Sequence, residues 1–172
     1  MSWEEFLELP DRPRHEWVDG ETVFLMSPAR VAHGRAVYRL CALLVNELPS
    51  LDGMTEVGWK MRRSHRVPDL MLVEAPAPDV AYLSEPPVVV VEVVSPSTRR
   101  EDLVRKNREY AEGGALQYWV VDLDARALEV YESTGDGYWE TRALVERKTP
   151  EARVKVREHG TVHLRFEDVF GA

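Results

Sequence analysis

The stretch Val88-Val-Val-Val-Glu92-Val-Val94 decides the fold of this chain. Six of its seven residues are valine. An unbroken β-branched run reads as a strand covered on both faces, at the centre of a sheet. The single carboxylate in it is costly to bury without a partner, and a metal ion is the partner that compensates it best. A second acid stands upstream in Arg66-Val-Pro-Asp69, at the head of the apolar run Leu70-Met-Leu-Val73. Two acids at strand ends in one sheet are the minimum for a divalent-cation site.

Working outward, Ser95-Pro-Ser-Thr98 breaks the central strand, and Thr98 with Glu101 fits a capping box. The helix that follows runs to about Ala111 and ends at Gly113-Gly114. Gln117 to Val121 is the next strand. Residues 88–121 thus form a strand–helix–strand crossover, which requires a parallel pair at the sheet centre. Upstream, residues 55–62 and 66–73 read as a hairpin around Ser64-His65, and residues 79–87 as a loop. Residues 29–48 are predicted to be helical, with Val37, Leu40, Cys41, Leu44, Val45 and Leu48 in one stripe that His33 extends. Residues 15–19 and 21–26 flank the turn dipeptide Asp19-Gly20. Residues 2–9 form a short helix. Residues 126–132 and 137–146 form a hairpin around Gly135-Asp-Gly137, and a last strand lies near 161–165. The predicted class is α/β (α+β), with a mixed central sheet flanked by helices, in one domain over residues 1–172.

The formal net charge of -8 argues against tight non-specific nucleic-acid binding, which depends on phosphate neutralisation. The distribution of charge says more than the sum. Lys60, Arg62, Arg63 and Arg66 precede Asp69, and Arg99, Arg100, Arg105, Lys106 and Arg108 follow Glu92. These residues are either a basic approach to the two acids or solvated edges of strands and helices. No apolar run approaches the roughly 20 residues that span a bilayer. The start, Met1-Ser-Trp-Glu-Glu-Phe, is acidic and lacks a signal-peptide core, so a cytoplasmic location is expected. Cys41 is the only cysteine, which excludes an internal disulfide. It reads as a small core residue.

Asp69 and Glu92 are hard oxygen ligands suited to Mg2+ or Mn2+. Lys106 falls about two turns into the helix that leaves the central strand and could reach back to the strand end. There it could stabilise developing negative charge or help position an attacking water. Alternatively it forms an exposed i,i+4 pair with Asp102.

Here the residues reach a resemblance. Pro68-Asp69, Glu92-Val-Val94, Ser95-Pro-Ser-Thr98, then Asp102 to Lys106 and Tyr110 resemble the Uma family of putative restriction endonucleases, within the PD-(D/E)xK nuclease superfamily. The match extends to Glu16-Trp-Val-Asp-Gly20, to Met26-Ser-Pro28 with His33, and to Gln117-Tyr-Trp-Val-Val-Asp122, over roughly residues 14–170. The resemblance implies a restriction-endonuclease-like core with Mg2+ held by Asp69, Glu92 and the Val93 backbone carbonyl. The superfamily's usual lysine lies two residues after the second acid, where this chain has Val94; the resemblance assigns that role to Lys106. His33 and Glu16 are supporting candidates, against a satisfied core histidine and a salt-bridged strand glutamate. Lys60 would lie opposite Asp69 if the hairpin turned at Ser64-His65, as a second candidate lysine or a cross-strand ion pair. Tyr110 shares a helix face with Lys106 and is otherwise a packing residue. Asp122 reads as a turn cap.

Three functions compete. The first is a Mg2+-dependent endonuclease acting on nucleic acid, DNA in the first instance, and working as a homodimer or higher homo-oligomer. Tyr131, Tyr138 and Trp139 would supply interface aromatics. The second is a non-catalytic nuclease fold used for binding or assembly. The third is metal-dependent hydrolysis of a small phosphoester.

Overall fold

A computed structural model describes residues 1–10, 15–24, 30–75, 77, 79–94 and 101–171, the side chains of Glu101 and Asp102 excepted. The predicted strand break and capping box at residues 95–101, the Met26-Ser-Pro28 motif, Arg99, Arg100 and the Asp102–Lys106 pair lie outside this description.

The first half of the chain forms α1 (Trp3–Leu7), β1 (His15–Val18), β2 (Glu21–Phe24), α2 (Val31–Glu47), β3 (Leu51–Met54), β4 (Gly58–Lys60), β5 (Ser64–Arg66) and β6 (Leu70–Glu74). The next elements are β7 (Tyr82–Leu83), β8 (Val89–Val94), a π-helical segment (Glu101–Lys106), α3 (Asn107–Gly113) and β9 (Gln117–Asp122). The chain closes with β10 (Ala127–Ser133), β11 (Trp139–Val145), β12 (Glu151–Val156), β13 (Gly160–Arg165) and α4 (Phe166–Phe170).

The valine run is the centre of a six-stranded sheet in the order β11-β10-β9-β8-β6-β3. As the crossover required, β8 and β9 are parallel, with Val91 beside Trp119. The other neighbours in that sheet are antiparallel. A five-stranded sheet, β2-β1-β5-β4-β7, and the β12–β13 pair complete a mixed α+β fold.

The two-residue period of the strands sorts their side chains onto opposite faces. Val89, Val91 and Val93 of β8 join Leu70, Leu72, Trp119 and Val121 in one core, against Leu40 and Leu44 of α2. Val90 and Val94 join Met71, Val73, Tyr118 and Val120 in a second core, against Trp59 and Tyr110. Asp69 and Glu92 therefore share the phase of the second core. All six residues of β8 are buried, so the double covering read from the sequence holds.

One predicted hairpin is corrected. The turn lies at Met61–Arg63, and β4 pairs with β5 so that Lys60 faces His65. The run 66–73 divides between sheets: Arg66 ends β5, and β6 starts at Leu70. Pro68 stands at this break, where its missing N–H removes a ladder donor. Strands β3, β7 and β12 and helix α4 were not predicted.

The five-stranded sheet carries an aromatic cluster in which Trp3, Phe6 and Tyr82 surround the His65 ring. Burial pushes the His65 imidazole from 6.5 down to about 4, with Lys60 and His15 adding to the shift and Glu16 opposing it. The unfolded chain thus binds a proton that the folded chain excludes between those values. The stability contributed by neutral His65 is complete above pH 6.5 and is lost as the pH falls through about 4. His65→Gln should flatten the acid side of a stability-versus-pH curve measured by urea unfolding. An unchanged slope between pH 4 and 6.5 would assign the acid sensitivity to other groups.

Candidate active site at the ends of β6 and β8

Strand register brings the two acids together. Leu70 of β6 pairs with Val91 of β8 in antiparallel register. One step further along that register sets Asp69 against Glu92, where opposed side chains lie on the same face. A 2.7 Å hydrogen bond from the Val93 N–H to Asp69 Oδ2 confirms the approach. The N–H and C=O of one strand residue point to the same edge. The Val93 carbonyl therefore also lies toward Asp69, beyond the last β6–β8 ladder pair.

Glu92 is 3% exposed and its Oε1 accepts two hydrogen bonds. Lys106 Nζ donates at 2.9 Å and the Tyr110 hydroxyl at 2.6 Å. Lys106 and Tyr110 are four residues apart, the spacing that puts two side chains on one face of an α-helix. Lys106 is the last residue of the π-helical segment, and Tyr110 lies in α3. Such wider turns are frequent at functional sites.

Behind Lys106 lies a second layer of charge. Its Nζ is 3.7 Å from Glu16 Oε1. Glu16 also accepts the Val67 N–H at 3.0 Å on Oε1 and Arg66 at 2.8 Å on Oε2. Arg66 is fully buried and grips Glu109 of α3 through Nε at 2.7 Å and a second nitrogen at 2.9 Å. This fork is the bidentate geometry that an arginine makes with a carboxylate. Burial acts to raise the Glu16 carboxyl, but the Lys106 and Arg66 charges and the Val67 N–H together hold it below its ordinary 4.5. Burial, reinforced by the Glu92 and Glu16 charges, pushes the Tyr110 hydroxyl well above its ordinary value. Tyr110 is thus a hydrogen-bond donor to Glu92 at neutral pH.

The remaining sequence candidates fall as follows. His33, on α2, brings Nε2 to 3.1 Å from Asp69 Oδ1, and both side chains keep partial exposure. It borders the site instead of closing a core hydrogen bond. Lys60 does not lie opposite Asp69. Its Nζ donates to the Met61 carbonyl and sits over the Trp3 and Trp17 rings at 5.0 and 4.8 Å. Asp122 is the turn cap expected, accepting the N–H groups of Asp124 and Ala125. Cys41 is half-buried, and burial pushes its thiol up. Tyr131 and Trp139 are not free interface aromatics: both pack on Tyr118, and the Trp139 indole N–H donates to the Asn107 carbonyl. Tyr138 alone of the three is exposed.

Sequence reasoning missed Arg66 and Glu109 as members of the cluster. Arg66 was visible as the basic residue three positions before Asp69, but only the packing of α3 on the five-stranded sheet makes it buried and bidentate.

Asp69, Glu92 and the Val93 carbonyl offer two carboxylates and a neutral oxygen. That donor set suits a Mg2+ ion, which takes one or two carboxylates and completes its shell with water or phosphate oxygens. Among the described residues, no group of three His, Cys, Asp or Glu side chains forms a closed metal cage. The fit is to an open site.

A family model described as "Uma2: Putative restriction endonuclease" matches residues 3–158. The chain belongs to this family. The uncharacterized protein slr1290 of Synechocystis sp. is 30% identical over 153 residues, spanning 81% of this chain and 77% of its own. The crystal structure of a putative nuclease of family DUF820 from Anabaena variabilis superposes with a TM-score of 0.81 at 19% identity. It covers 99% of this chain and 97% of its own, and that likeness shows the fold. No described helix is long and apolar enough to cross a membrane.

The Tyr110 bond to Glu92 can be measured directly. Tyr110→Phe should lower unfolding stability at neutral pH by about 1.5–3 kcal/mol, the range for a hydrogen bond to a charged group. Denaturant titration checks this. A loss near zero would show that the hydroxyl contributes little to holding Glu92.

Proposed function

We propose that this protein is a Mg2+- or Mn2+-dependent endonuclease that hydrolyses phosphodiester bonds of nucleic acid, with DNA as the first substrate to test. The observation that carries this reading is the convergence of Asp69, Glu92, Val93 and Lys106 at the paired ends of β6 and β8. The family supports it at the level of nuclease.

In this reading Asp69, Glu92 and the Val93 carbonyl hold the divalent ion. When bound, the ion lowers the pKa of a coordinated water and neutralises charge on the scissile phosphate. Asp69 is held for that task by the Val93 N–H, which fixes one oxygen and orients the other toward the solvent-facing side that His33 borders. Lys106 carries a fixed positive charge into the site, where it stabilises the negative charge that grows on the phosphate oxygens. Tyr110 restrains Glu92 from the core side. His33, with its partial exposure, stands where a substrate phosphate would approach. Cutting both strands of a duplex requires two such sites, so a homodimer or higher homo-oligomer is part of the proposal.

A second reading draws on one specific observation. Glu92 already has Lys106 and Tyr110, and Asp69 already has His33 and the Val93 N–H, all without a metal. A nuclease fold kept for binding or assembly would look the same. The two readings separate on metal. Titrating Mn2+ into wild type and Asp69→Ala by calorimetry should give binding to the first and none to the second. Equal binding, or none to either, would remove the nuclease reading. Incubation of supercoiled plasmid with Mg2+ or Mn2+, against a chelator control, should give nicked and linear products.

Lys106→Ala gives a further check. Lys106 is 7% exposed and paired with Glu92. Its removal should abolish cleavage. It should also lower metal-free stability by about 3–5 kcal/mol, because a buried carboxylate loses its cation. Mn2+ should restore part of that loss by binding the folded state, as a thermal melt would show. Full cleavage by the variant would remove Lys106 from the mechanism.

A further inference from the structure

Lys106 stands between two buried carboxylates and lies closer to one. Its Nζ is 2.9 Å from Glu92 Oε1 and 3.7 Å from Glu16 Oε1. The two acids are buried alike, at 3% and 1% exposure. Burial therefore gives no reason for the choice of Glu92. The difference lies in what else each acid holds. Glu16 has a full guanidinium partner in Arg66, at 2.8 Å, and a backbone N–H. Among the described partners, Glu92 besides Lys106 has the neutral Tyr110 hydroxyl.

We infer that Arg66 is a positioning residue that keeps Lys106 on Glu92, by satisfying Glu16 on one side and clamping the α3 turn through Glu109 on the other. The inference rests on the nuclease reading for its effect on catalysis, but its structural content does not. Arg66 has the geometry for both tasks. One nitrogen binds Glu16 of β1, while Nε and a second nitrogen bind Glu109, which is adjacent to Tyr110 and within one turn of Lys106. A planar fork with donors on two edges can serve two carboxylates at once, which a lysine's single ammonium does with far less fixed geometry.

Without Arg66, Glu16 would be a buried carboxylate with one backbone N–H and only the longer 3.7 Å ion pair with Lys106. Such a group recruits the nearest cation, because an uncompensated buried charge is costly. The nearest described cation is Lys106. It would turn from Glu92 to Glu16 and leave the site. Glu109 would not compete in the same way, since Arg105 lies 3.3 Å from it and Glu109 keeps some exposure.

This predicts a rescue that a purely structural role would not give. In Arg66→Met, Lys106 Nζ should lie closer to Glu16 than to Glu92 in a crystal structure. The kcat for plasmid cleavage should fall about a hundredfold, the lower end of what a positioned acid–base or charge-stabilising group contributes, with KM for DNA nearly unchanged. In the double variant Arg66→Met/Glu16→Gln, the competing carboxylate is gone. Lys106 should return to Glu92, and kcat should recover at least about tenfold over the single variant, short of wild type because Glu109 still lacks Arg66. If Arg66→Met does not fold, the double variant decides alone, with Lys106 on Glu92 and metal-dependent cleavage expected. Lys106 remaining on Glu92 in the single variant, or lying away from it in the double variant, would overturn the inference. So would a double variant that is folded and no more active than the single one. Failure of wild type to bind Mn2+ or cleave DNA would count against the nuclease reading only, because the position of Lys106 is read without either.

Discussion

Glu92 is a carboxylate in a strand covered on both faces, and the arrangement around it follows from that fact. A charge so placed costs several kcal/mol unless it is paired and hydrogen-bonded. The chain meets this cost with Lys106 and Tyr110, both drawn to a single oxygen from one helical face. That requirement fixes where the helix after β8 must lie and how it must be rotated. A π-helical segment ending at Lys106 is part of how the chain meets it.

The same constraint reaches into the second sheet. Lys106 brings a positive charge within 3.7 Å of Glu16 on β1, and Glu16 in turn engages Arg66 on β5. Arg66 closes the circuit by returning to α3 through Glu109. Five buried or nearly buried charged groups, Glu92, Lys106, Glu16, Arg66 and Glu109, thus join two sheets and a helix with alternating sign. The apolar cores supply the greater part of the driving force for folding. The charged circuit instead selects one arrangement of these elements, because any slip leaves a charge unpaired. Trp59 stacks on Tyr110 beside this circuit and excludes water from it.

The candidate site opens at the rim, where the valine strand meets the end of β6. Asp69 and His33 retain partial exposure, while Glu92 and Lys106 are nearly enclosed. One acid is therefore open to solvent, and the other is held from behind by Lys106 and Tyr110. An overall charge of -8 is compatible with a phosphate ligand when cations are concentrated at the site. Exposed Arg62 and Arg63 lie at the β4–β5 turn, with Arg105 and Arg108 on the helical side; Arg63 and Arg105 pair with Asp19, and Arg108 with Glu112.

The sequence by itself determined the central strand, the parallel crossover to β9, the α2 stripe and the membership of Asp69, Glu92 and Lys106 in one region. These are readable because each depends on local signals: β-branching, helical period, turn residues and the order of motifs. The β12 alternation Glu151-Ala-Arg-Val-Lys-Val156 carries the same kind of local signal, with charged residues outward and apolar ones inward. What only the tertiary structure decided was partnership. Lys60 looked as near to Asp69 as any residue, yet a turn centred two residues earlier set it among tryptophans. Arg66 looked like one more surface arginine, yet it is fully buried between Glu16 and Glu109, which lie 50 and 43 residues away in sequence. Composition and spacing report what a residue can do along its own segment. Which distant charge it meets depends on how separate sheets pack, and that is fixed by the joint burial of both cores.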